Sequence, residues 1–407
     1  MNTTPGCSAE RTPGAAWRML ALGVAAQSAG TLLVSTPAYM IPLLHTQQGM
    51  PLARAGLLAA APTFGMVLTL VAWGAAADRY GERWVIAGGL ALTSLLAFAA
   101  APVHGYLLLG VLLALGGAAA ASTNAASGRV VVGWFPRHRR GLAMGIRQMS
   151  QPLGVAGAAI AVPTLAAHYG TWAPLLLAAL VTAVLTVACA VGIANPPRPA
   201  TVPTRTQPGE IARPVNPYAR DRFLIPIHAV SVMLVVPQFT LSIFGLVWLT
   251  TALGWSASAA GGVIAASQFI GALGRIGVGT LSDRVGSRVR VLRWVAVSGV
   301  AVMLLVAATG ALHWTVAAAV MLIVATTVSV ADNGLAFASV AEAAGPAWSG
   351  KALGIQNTGQ FLAASAVGPA IGALITAVGY PVAFAIVALT PLASIGLIPS
   401  RDQHWTP

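Results

Sequence analysis

Ionisable side chains interrupt otherwise apolar segments at a few positions, and these residues have the clearest potential for chemistry. Arg147, Arg275 and Asp332 each lie within a long apolar stretch. A charged side chain at the centre of a bilayer costs roughly 2.5–3.5 kcal/mol, so such residues usually line a water-filled cavity and serve function. Arginine binds carboxylates through paired hydrogen bonds, and a buried aspartate can carry a proton or pair with an arginine. These residue types favour binding of a small anion.

Motifs for catalysis or metal binding are missing from the sequence. It contains no metal-ligand spacing, no Walker loop and no nucleophile elbow. Cys7 and Cys189 fall in a predicted tail and a predicted span, so a disulfide framework is not supported. Gly271 and Gly274 are better explained by close helix packing than by a nucleotide loop. We therefore expect no enzyme activity, no metal and no cofactor.

The composition places the chain in a lipid bilayer. Of its 407 residues 57% are hydrophobic and 8% are charged, and the mean hydropathy is +0.80. Such a chain cannot cover a water-soluble surface with polar groups. Glycine, proline and charge positions predict an all-α integral membrane protein with twelve transmembrane helices near 17–44, 52–77, 84–102, 106–133, 141–166, 172–194, 223–252, 256–281, 291–311, 315–341, 351–376 and 380–399.

Charge distribution predicts the orientation of these spans. The formal net charge is +13, yet all but four of the 22 Lys and Arg residues fall on cytoplasmic segments if both termini are cytoplasmic. Retention of positive loops explains this asymmetry without a nucleic-acid partner. The N-terminus has no short apolar core followed by a cleavage site, so we expect no signal peptide. We expect a monomer in the plasma or inner membrane, in contact with membrane lipids.

An internal duplication organises the chain. Residues 74–83 read GAAADRYGER and residues 279–288 read GTLSDRVGSR, so the pattern G-x-x-x-D-R-x-G-x-R occurs twice. A second set of matches pairs Asn124 with Asn333 and Gln151 with Gln360. Two apolar halves of common ancestry suggest a transporter built from parallel repeats. The predicted units are a tail at 1–16, a six-helix bundle at 17–195, a linker at 196–222, a second bundle at 223–400 and a tail at 401–407.

Function is expected where one repeat carries a buried charge and the other does not. Four ionisable residues meet this condition; each is followed here by its counterpart: Arg275 (Leu70), Arg147 (Gln356), Asp332 (Thr123) and Arg129 (Ala338). Arg275 lies eight residues before Asp283, about 12 Å along its helix, and Asp332 lies about 15 Å from Glu342. Arg147 is shallower and can equally well reach the interface. We expect a structural role for Arg129.

Polar residues at helical spacing predict which faces line a cavity. The stripes comprise Gln27, Thr31, Ser35 and Tyr39 in span 1, Arg147 and Gln151 in span 5, Gln268 and Arg275 in span 8, and Gln356 and Gln360 in span 11. Residues four or seven apart share one helix face. For a single Gln or Ser, an interhelical hydrogen bond is a better explanation than ligand binding. The convergence of four stripes favours a substrate site.

The duplicated pattern between spans 2 and 3 and between spans 8 and 9 resembles the signature of the major facilitator superfamily. The resemblance covers essentially the whole chain and implies two pseudo-symmetric six-helix bundles, a central cavity and alternating access by rocking of the bundles. It also implies a cytoplasmic gate, in which the signature carboxylates accept hydrogen bonds from helix N-termini of the opposite half, near Gly350 and Gly141. The expected gate residues are Gly74, Asp78, Arg79, Gly81 and Arg83, with Gly279, Asp283, Arg284, Gly286 and Arg288. The arginines can instead anchor to anionic lipids.

Span 8 carries a narrower resemblance. An arginine eight residues before the signature aspartate, as in RIGVGTLSD, is similar to the oxalate–formate antiporter and monocarboxylate-transporter branches. The resemblance implies that Arg275 binds a substrate carboxylate. The second cation that the oxalate branch has in helix 11 is not evident here, where Gln356, Asn357 and Gln360 stand instead. A dicarboxylate is therefore in doubt.

Three functions remain open from the sequence. The first is a secondary transporter of a small organic anion, by proton symport or antiport, with Arg275 and Arg147 at the anion and Asp332 as proton carrier or salt-bridge partner. The second is efflux of lipophilic, often cationic drugs by proton antiport, for which acidic residues in the N-terminal cavity are expected but missing. The third is a transporter-like sensor, for which no extra signalling domain is evident.

Overall fold

A computed structural model describes residues 13–135, 143, 146–195, 216–220, 222–344 and 348–403, and all regular secondary structure in these ranges is helical. The first half contains α1 (Pro13–Thr46), α2 (Leu52–Tyr80), α3 (Glu82–Ala100), α4 (Tyr106–Trp134), α5 (Ile146–Tyr169) and α6 (Trp172–Gly192). The second half begins with α7 (Leu224–Thr251), α8 (Ala257–Val285), α9 (Arg288–Ala311) and α10 (Thr315–Ala344).

The last two spans form one continuous run of helix with a sharp change of direction. Helical residues extend over Ser349–Val387 and Leu389–Leu397, but Gly379 has φ 78° and ψ 166°, outside the helical region. Glycine adopts a positive φ without the penalty that a Cβ imposes. The run is therefore two spans, α11 (349–378) and α12 (380–397). The twelve helices expected from the sequence are confirmed in the described part of the chain.

Two spans are interrupted by a turn. In α5 a turn at Met149 precedes the helix Ser150–Tyr169, and in α10 a turn at Val330 and Ala331 separates Thr315–Ser329 from Asp332–Ala344. Broken spanning helices are tolerated where neighbouring groups satisfy the freed backbone. The α10 break makes Asp332 the first residue of a helical segment, which the uninterrupted sequence pattern did not predict.

The hydrophobic core joins the two halves at one end only. We call the side at which α1 begins and α12 ends the terminal side. On the opposite side a single cluster combines Tyr39–Leu44 of α1 with Leu241–Leu249 of α7. On the terminal side each half has a separate cluster, one around Met19 and Ile86 and the other around Ile227 and Leu292. The halves are thus packed together opposite the termini and apart at the terminal side.

Glycines allow this packing through direct backbone contact. A Cβ on Gly56 of α2 would collide with the carbonyl oxygen of Gly368 in α11, and one on Gly261 of α8 would collide with the carbonyl of Ala159 in α5. Small residues permit such close helix crossings in membranes. In contrast, a Cβ added at Gly74 or Gly279, near the terminal side, would have no described atom within 4 Å. The structure is therefore closed on the side opposite the termini.

The division into tail, bundle and linker units stays a prediction, since residues 1–12, 196–215 and 404–407 lie outside the described ranges. The described part of the linker region is a short helix, Pro217–Arg220, directly before α7.

Adjacent glycines in α8 allow a matched test of the closed side. Gly261→Ala should destabilise the α5–α8 crossing, because its methyl group meets the Ala159 backbone. Gly262→Ala has open space and should be neutral or slightly stabilising, since alanine is the better helix former. In a background without native cysteines, labelling of Ser35→Cys by an impermeant maleimide added opposite the termini should rise severalfold for Gly261→Ala alone. Equal labelling of both variants would contradict this account of closure.

Candidate functional site

A polar cavity lies between the two halves at the middle of the membrane. Its volume is about 90 Å³, several times the ~10–15 Å³ that one water molecule needs. Every one of α1, α2, α4, α5, α7, α8, α10 and α11 contributes to the lining. The polar lining residues are Gln27, Thr31, Ser35, Thr63, Thr123, Asn124, Gln151, Gln238, Ser242, Gln268, Arg275 and Thr326. Four predicted site residues, Gln27, Gln151, Gln268 and Arg275, are thus brought together.

The other predicted site residues lie outside this lining. Tyr39 is 1% exposed within the core cluster that joins the halves. Gln356 and Gln360 of α11 are also buried, facing α7. Arg147 lies behind Gln27, to which it donates a hydrogen bond. The α11 stripe is therefore directed into the second bundle, whereas the α1 and α8 stripes face the cavity.

Arg275 and Asp332 occupy different surroundings. Arg275 lines the cavity, and its Nε is buried without a hydrogen-bond partner among the described residues. Asp332 is 0% exposed and adjoins a separate, mostly apolar space with Leu234 and Pro237. No side chain in the described part of the chain donates a hydrogen bond to its carboxylate oxygens, which are approached by the backbone N–H groups of Asp332 and Asn333. The two charges interact electrostatically without forming a close ion pair.

Arg147 anchors a hydrogen-bonded network in the first half. Its Nη1 donates to Gln27 Oε1 (3.3 Å) and to Ser127 Oγ (3.1 Å). Ser127 Oγ also donates to Gln27 Oε1 (2.9 Å), and Gln27 Nε2 donates to Asn124 Oδ1 (3.1 Å). Hydrogen bonds from a cation are roughly twice as strong as neutral ones. The network therefore holds α1, α4 and α5 in register beside the cavity.

A longer network runs through the second half. Ser231 Oγ of α7 accepts from Gln356 Nε2 (3.2 Å) and from Gln360 Nε2 (2.6 Å). Gln360 Nε2 also donates to Asn333 Oδ1 (3.1 Å). Asn333 Nδ2 in turn donates to Gln238 Oε1 (3.0 Å), which brings the network to the cavity lining. It connects α7, α10 and α11.

The terminal-side end of this network reaches the linker helix. His228 pairs through Nδ1 with Gln356 Oε1 (3.1 Å) and through Nε2 with the Tyr218 hydroxyl (2.9 Å). Burial raises the pKa of Tyr218, so its hydroxyl stays protonated. Because Gln356 Nε2 donates to Ser231, the Oε1 atom that faces His228 can only accept. His228 Nδ1 therefore donates to it, and Nε2 of the neutral ring accepts from Tyr218. Tyr218 also packs edge-on against Trp348, before α11.

The signature residues of the first half hold the α2–α3 turn against α6. Gly81 has φ 84°, as the expected tight turn requires. Arg83 donates from Nε to the Ala190 carbonyl (2.6 Å) and from its backbone nitrogen to Asn195 Oδ1 (2.9 Å). Arg79 lies over the Tyr80 ring. These contacts remain within one bundle.

The equivalent residues of the second half make a different set of contacts. Gly286 ends α8 with φ 68°. Arg288 binds the Glu342 carboxylate through Nε (2.8 and 2.9 Å) and through Nη2 (2.6 Å), and lies 3.6 Å from Asp283. The Asp283 side chain is 73% exposed, and Arg284 is exposed. Gly141 and the side chains of Asp78 and Arg129 lie outside the described part, whereas Gly350 lies in the first turn of α11, which begins at Ser349.

Several cavity and network residues were missed by the sequence analysis. Asn124, Gln238 and Ser242 line the cavity, and Ser231 and His228 belong to the network behind it. The pairing of Asn124 with Asn333 in the repeat was a usable signal, because polar residues retained in both halves of an apolar chain need partners. His228 was likewise visible as a titratable group within an apolar span.

Removing the shared acceptor should destabilise the second bundle. Ser231→Ala leaves buried donors on Gln356 and Gln360 without their common partner. The expected cost is about 1–2 kcal/mol, seen as a lower midpoint of thermal unfolding in detergent. Ser365→Ala is the matched control, because Ser365 bonds only to a carbonyl of its own helix. Equal midpoints for the two variants would show that the network adds no stability.

Known proteins with similar sequences indicate the family of this chain. Residues 20–369 match the Major Facilitator Superfamily profile. An uncharacterized MFS-type transporter of Mycobacterium tuberculosis is 44% identical over 391 residues, covering 95% of this chain and 86% of that protein. A protein of Oryza sativa subsp. japonica named "Probable anion transporter 2, chloroplastic" is 32% identical over 126 residues, 30% of this chain and 24% of its own length.

Solved structures show the same fold. A bacterial homologue of the human lysosomal transporter Spinster, in an inward-facing and unoccupied conformation, superposes with a TM-score of 0.74 at 13% identity, covering 95% of both chains. Its inward-facing, occupied form gives a TM-score of 0.70 at 14% identity. The chain belongs to the Major Facilitator Superfamily and is a multi-pass membrane protein, a secondary transporter that moves a small molecule by alternating access.

Proposed function

We propose that the protein transports a small organic anion of the monocarboxylate type, with Arg275 binding the carboxylate. The observation that carries this proposal is the charge of the cavity. Arg275 is the one charged residue in the described cavity lining, and its Nε has no protein partner there. A buried guanidinium nitrogen without an acceptor is costly, so an anionic ligand would supply the missing acceptor. The name of the rice relative agrees with anion transport.

Cavity size and charge favour this class over lipophilic cations. A volume of about 90 Å³ suits a compact solute. Recognition of a cation needs acidic or aromatic groups at the binding surface. The described lining has no Asp or Glu and a single pair of aromatic residues, Phe239 and Phe361. Drug efflux therefore finds little support here, and neither does a sensor.

Asp332 is the proposed site of proton coupling. Its carboxylate is fully buried, receives no hydrogen bond from a described side chain and interacts electrostatically with Arg275. When an anion binds Arg275, the attraction of Arg275 for the Asp332 carboxylate is offset, and protonation of the carboxyl becomes more favourable. Substrate and proton would then bind together, which is the requirement for symport.

The closed side and the charge pattern together suggest an orientation. If the terminal side is cytoplasmic, as the positive loops predict, the structure is inward-facing. Asp78 and Asp283, with Arg79, Arg83, Arg284 and Arg288, would then lie at the cytoplasmic mouth. We propose that the two carboxylates meet helix ends of the opposite half when that mouth closes. The exposed Asp283 side chain is accessible for such a contact.

Arg275→Lys should impair transport although it preserves the charge. A lysine is a compact point charge and cannot reproduce two parallel hydrogen bonds to a carboxylate. We expect an increase in apparent KM of about tenfold or more, corresponding to loss of one charge-assisted hydrogen bond. Arg290→Lys, on the exposed surface of α9, is the control for the same exchange. Anion uptake into proteoliposomes with unchanged affinity in Arg275→Lys would remove Arg275 from the binding site.

Asp332→Asn should separate coupling from translocation. The variant keeps the size of the side chain but cannot release a proton. Accumulation driven by a pH gradient should be abolished, whereas counterflow exchange of substrate should continue. Loss of both activities would indicate a structural ion pair with Arg275. Retention of gradient-driven accumulation would exclude Asp332 from coupling.

A further inference from the structure

The amide groups of the cavity have defined orientations, and these orientations determine what the cavity can bind. In the first half the orientation is fixed by charge. Arg147 has hydrogen-bond donors only, so the atom of Gln27 that faces it must be the oxygen, Oε1. Gln27 Nε2 then donates to Asn124 Oδ1. The remaining polar atom of Asn124 is its Nδ2 group, whose N–H donors are available to the cavity that Asn124 lines.

The second half presents a donor through its own chain of hydrogen bonds, which has no arginine in it. Gln360 Nε2 donates to Asn333 Oδ1, which leaves Asn333 Nδ2 to donate to Gln238. Gln238 Oε1 is therefore occupied by Asn333, and its Nε2 group is available to the cavity. Asn124 and Asn333 occupy equivalent positions of the repeat. Asn124 presents its own N–H donors to the cavity. Asn333 donates to Gln238 Oε1, so that the Nε2 group of Gln238 is the donor at the cavity.

We propose that these two amides recognise a second oxygen of the substrate, while Arg275 binds its carboxylate. The inference rests on the proposed function and narrows it to carboxylates that carry an additional acceptor oxygen and no cationic group. Neutral amide donors suit a neutral carbonyl oxygen. A second carboxylate would bring a charge for which the described lining has no second cation. The substrate class is therefore a small 2-oxo or similar carbonyl-bearing monocarboxylate.

Arg147 acquires a role in this arrangement without contacting the substrate. It is a positioning residue, since it fixes Gln27, which in turn fixes Asn124. Without Arg147, Gln27 and Asn124 can both rotate by 180° and turn the Asn124 oxygen toward the cavity. An acceptor would then face the acceptor oxygen of the substrate. Arg147 should therefore influence which anion is preferred more than whether an anion binds.

The test compares pyruvate with propionate as inhibitors of anion counterflow in proteoliposomes of the full chain. The two monoanions have similar shapes, and pyruvate alone has the extra carbonyl oxygen. One neutral hydrogen bond contributes about 1 kcal/mol, so pyruvate should bind about five- to tenfold more tightly. Alanine, which adds an ammonium group, should not inhibit. Equal inhibition by pyruvate and propionate, with Arg275→Lys weakening both, would overturn this inference and leave the proposed function intact.

Variants identify the groups responsible. Asn124→Leu and Gln238→Met keep the approximate shape and remove the donors. The ratio of the inhibition constants of propionate and pyruvate should therefore fall toward one, while propionate binding persists. Asn357→Leu is the control, because Asn357 lies on α11 outside the cavity lining. Arg147→Met should also reduce the preference. An unchanged preference in Asn124→Leu and Gln238→Met would contradict the inference, and failure of every anion to inhibit would contradict the proposed function itself.

Discussion

The shortage of hydrogen-bond partners in the hydrocarbon core is the constraint on which the rest of this structure depends. A polar group placed in lipid must find a partner within the protein, and each unsatisfied group costs several kcal/mol. In the described part of the chain the buried side chains of Gln27, Gln356 and Gln360 meet this demand by bonding to other polar side chains of the protein. Networks anchored at Arg147 and Ser231 hold three helices each. The same bonds that satisfy the amides also fix their orientation, so stability and recognition have a common origin.

The helices and the duplication could be predicted from the sequence because they depend on local composition. A run of apolar residues long enough to cross a bilayer has few alternatives to a helix. The end of α8 at Gly286 and the turn at Gly81 followed from the repeated signature, and both glycines adopt positive φ. The breaks of α5 at Met149 and of α10 before Asp332 were not predicted, because no proline or glycine lies at Met149, Val330 or Ala331 to indicate them.

The cavity could be predicted only in part, since helical spacing identifies a face but not its neighbour. The α1 and α8 stripes do line the cavity, with Gln27, Gln268 and Arg275. The α11 stripe was given the same interpretation, yet Gln356 and Gln360 pack against Ser231 of α7. Which helix lies opposite a polar face is decided by long-range packing such as the Gly56–Gly368 crossing. A sequence read in one dimension does not contain that information.

The two repeats differ in how their buried charged residues are hydrogen-bonded. Arg147 has neutral acceptors in Gln27 and Ser127. Arg275 and Asp332 interact electrostatically, but Arg275 Nε has no acceptor and the Asp332 carboxylate receives no side-chain hydrogen bond among the described residues. A charge with a full set of hydrogen bonds fixes the structure around it, whereas an incompletely bonded pair can still bind a ligand and a proton. Duplication provided two similar bundles, and the unequal hydrogen bonding of their buried charges supports the roles proposed for them: positioning in the first bundle and exchange of ions in the second.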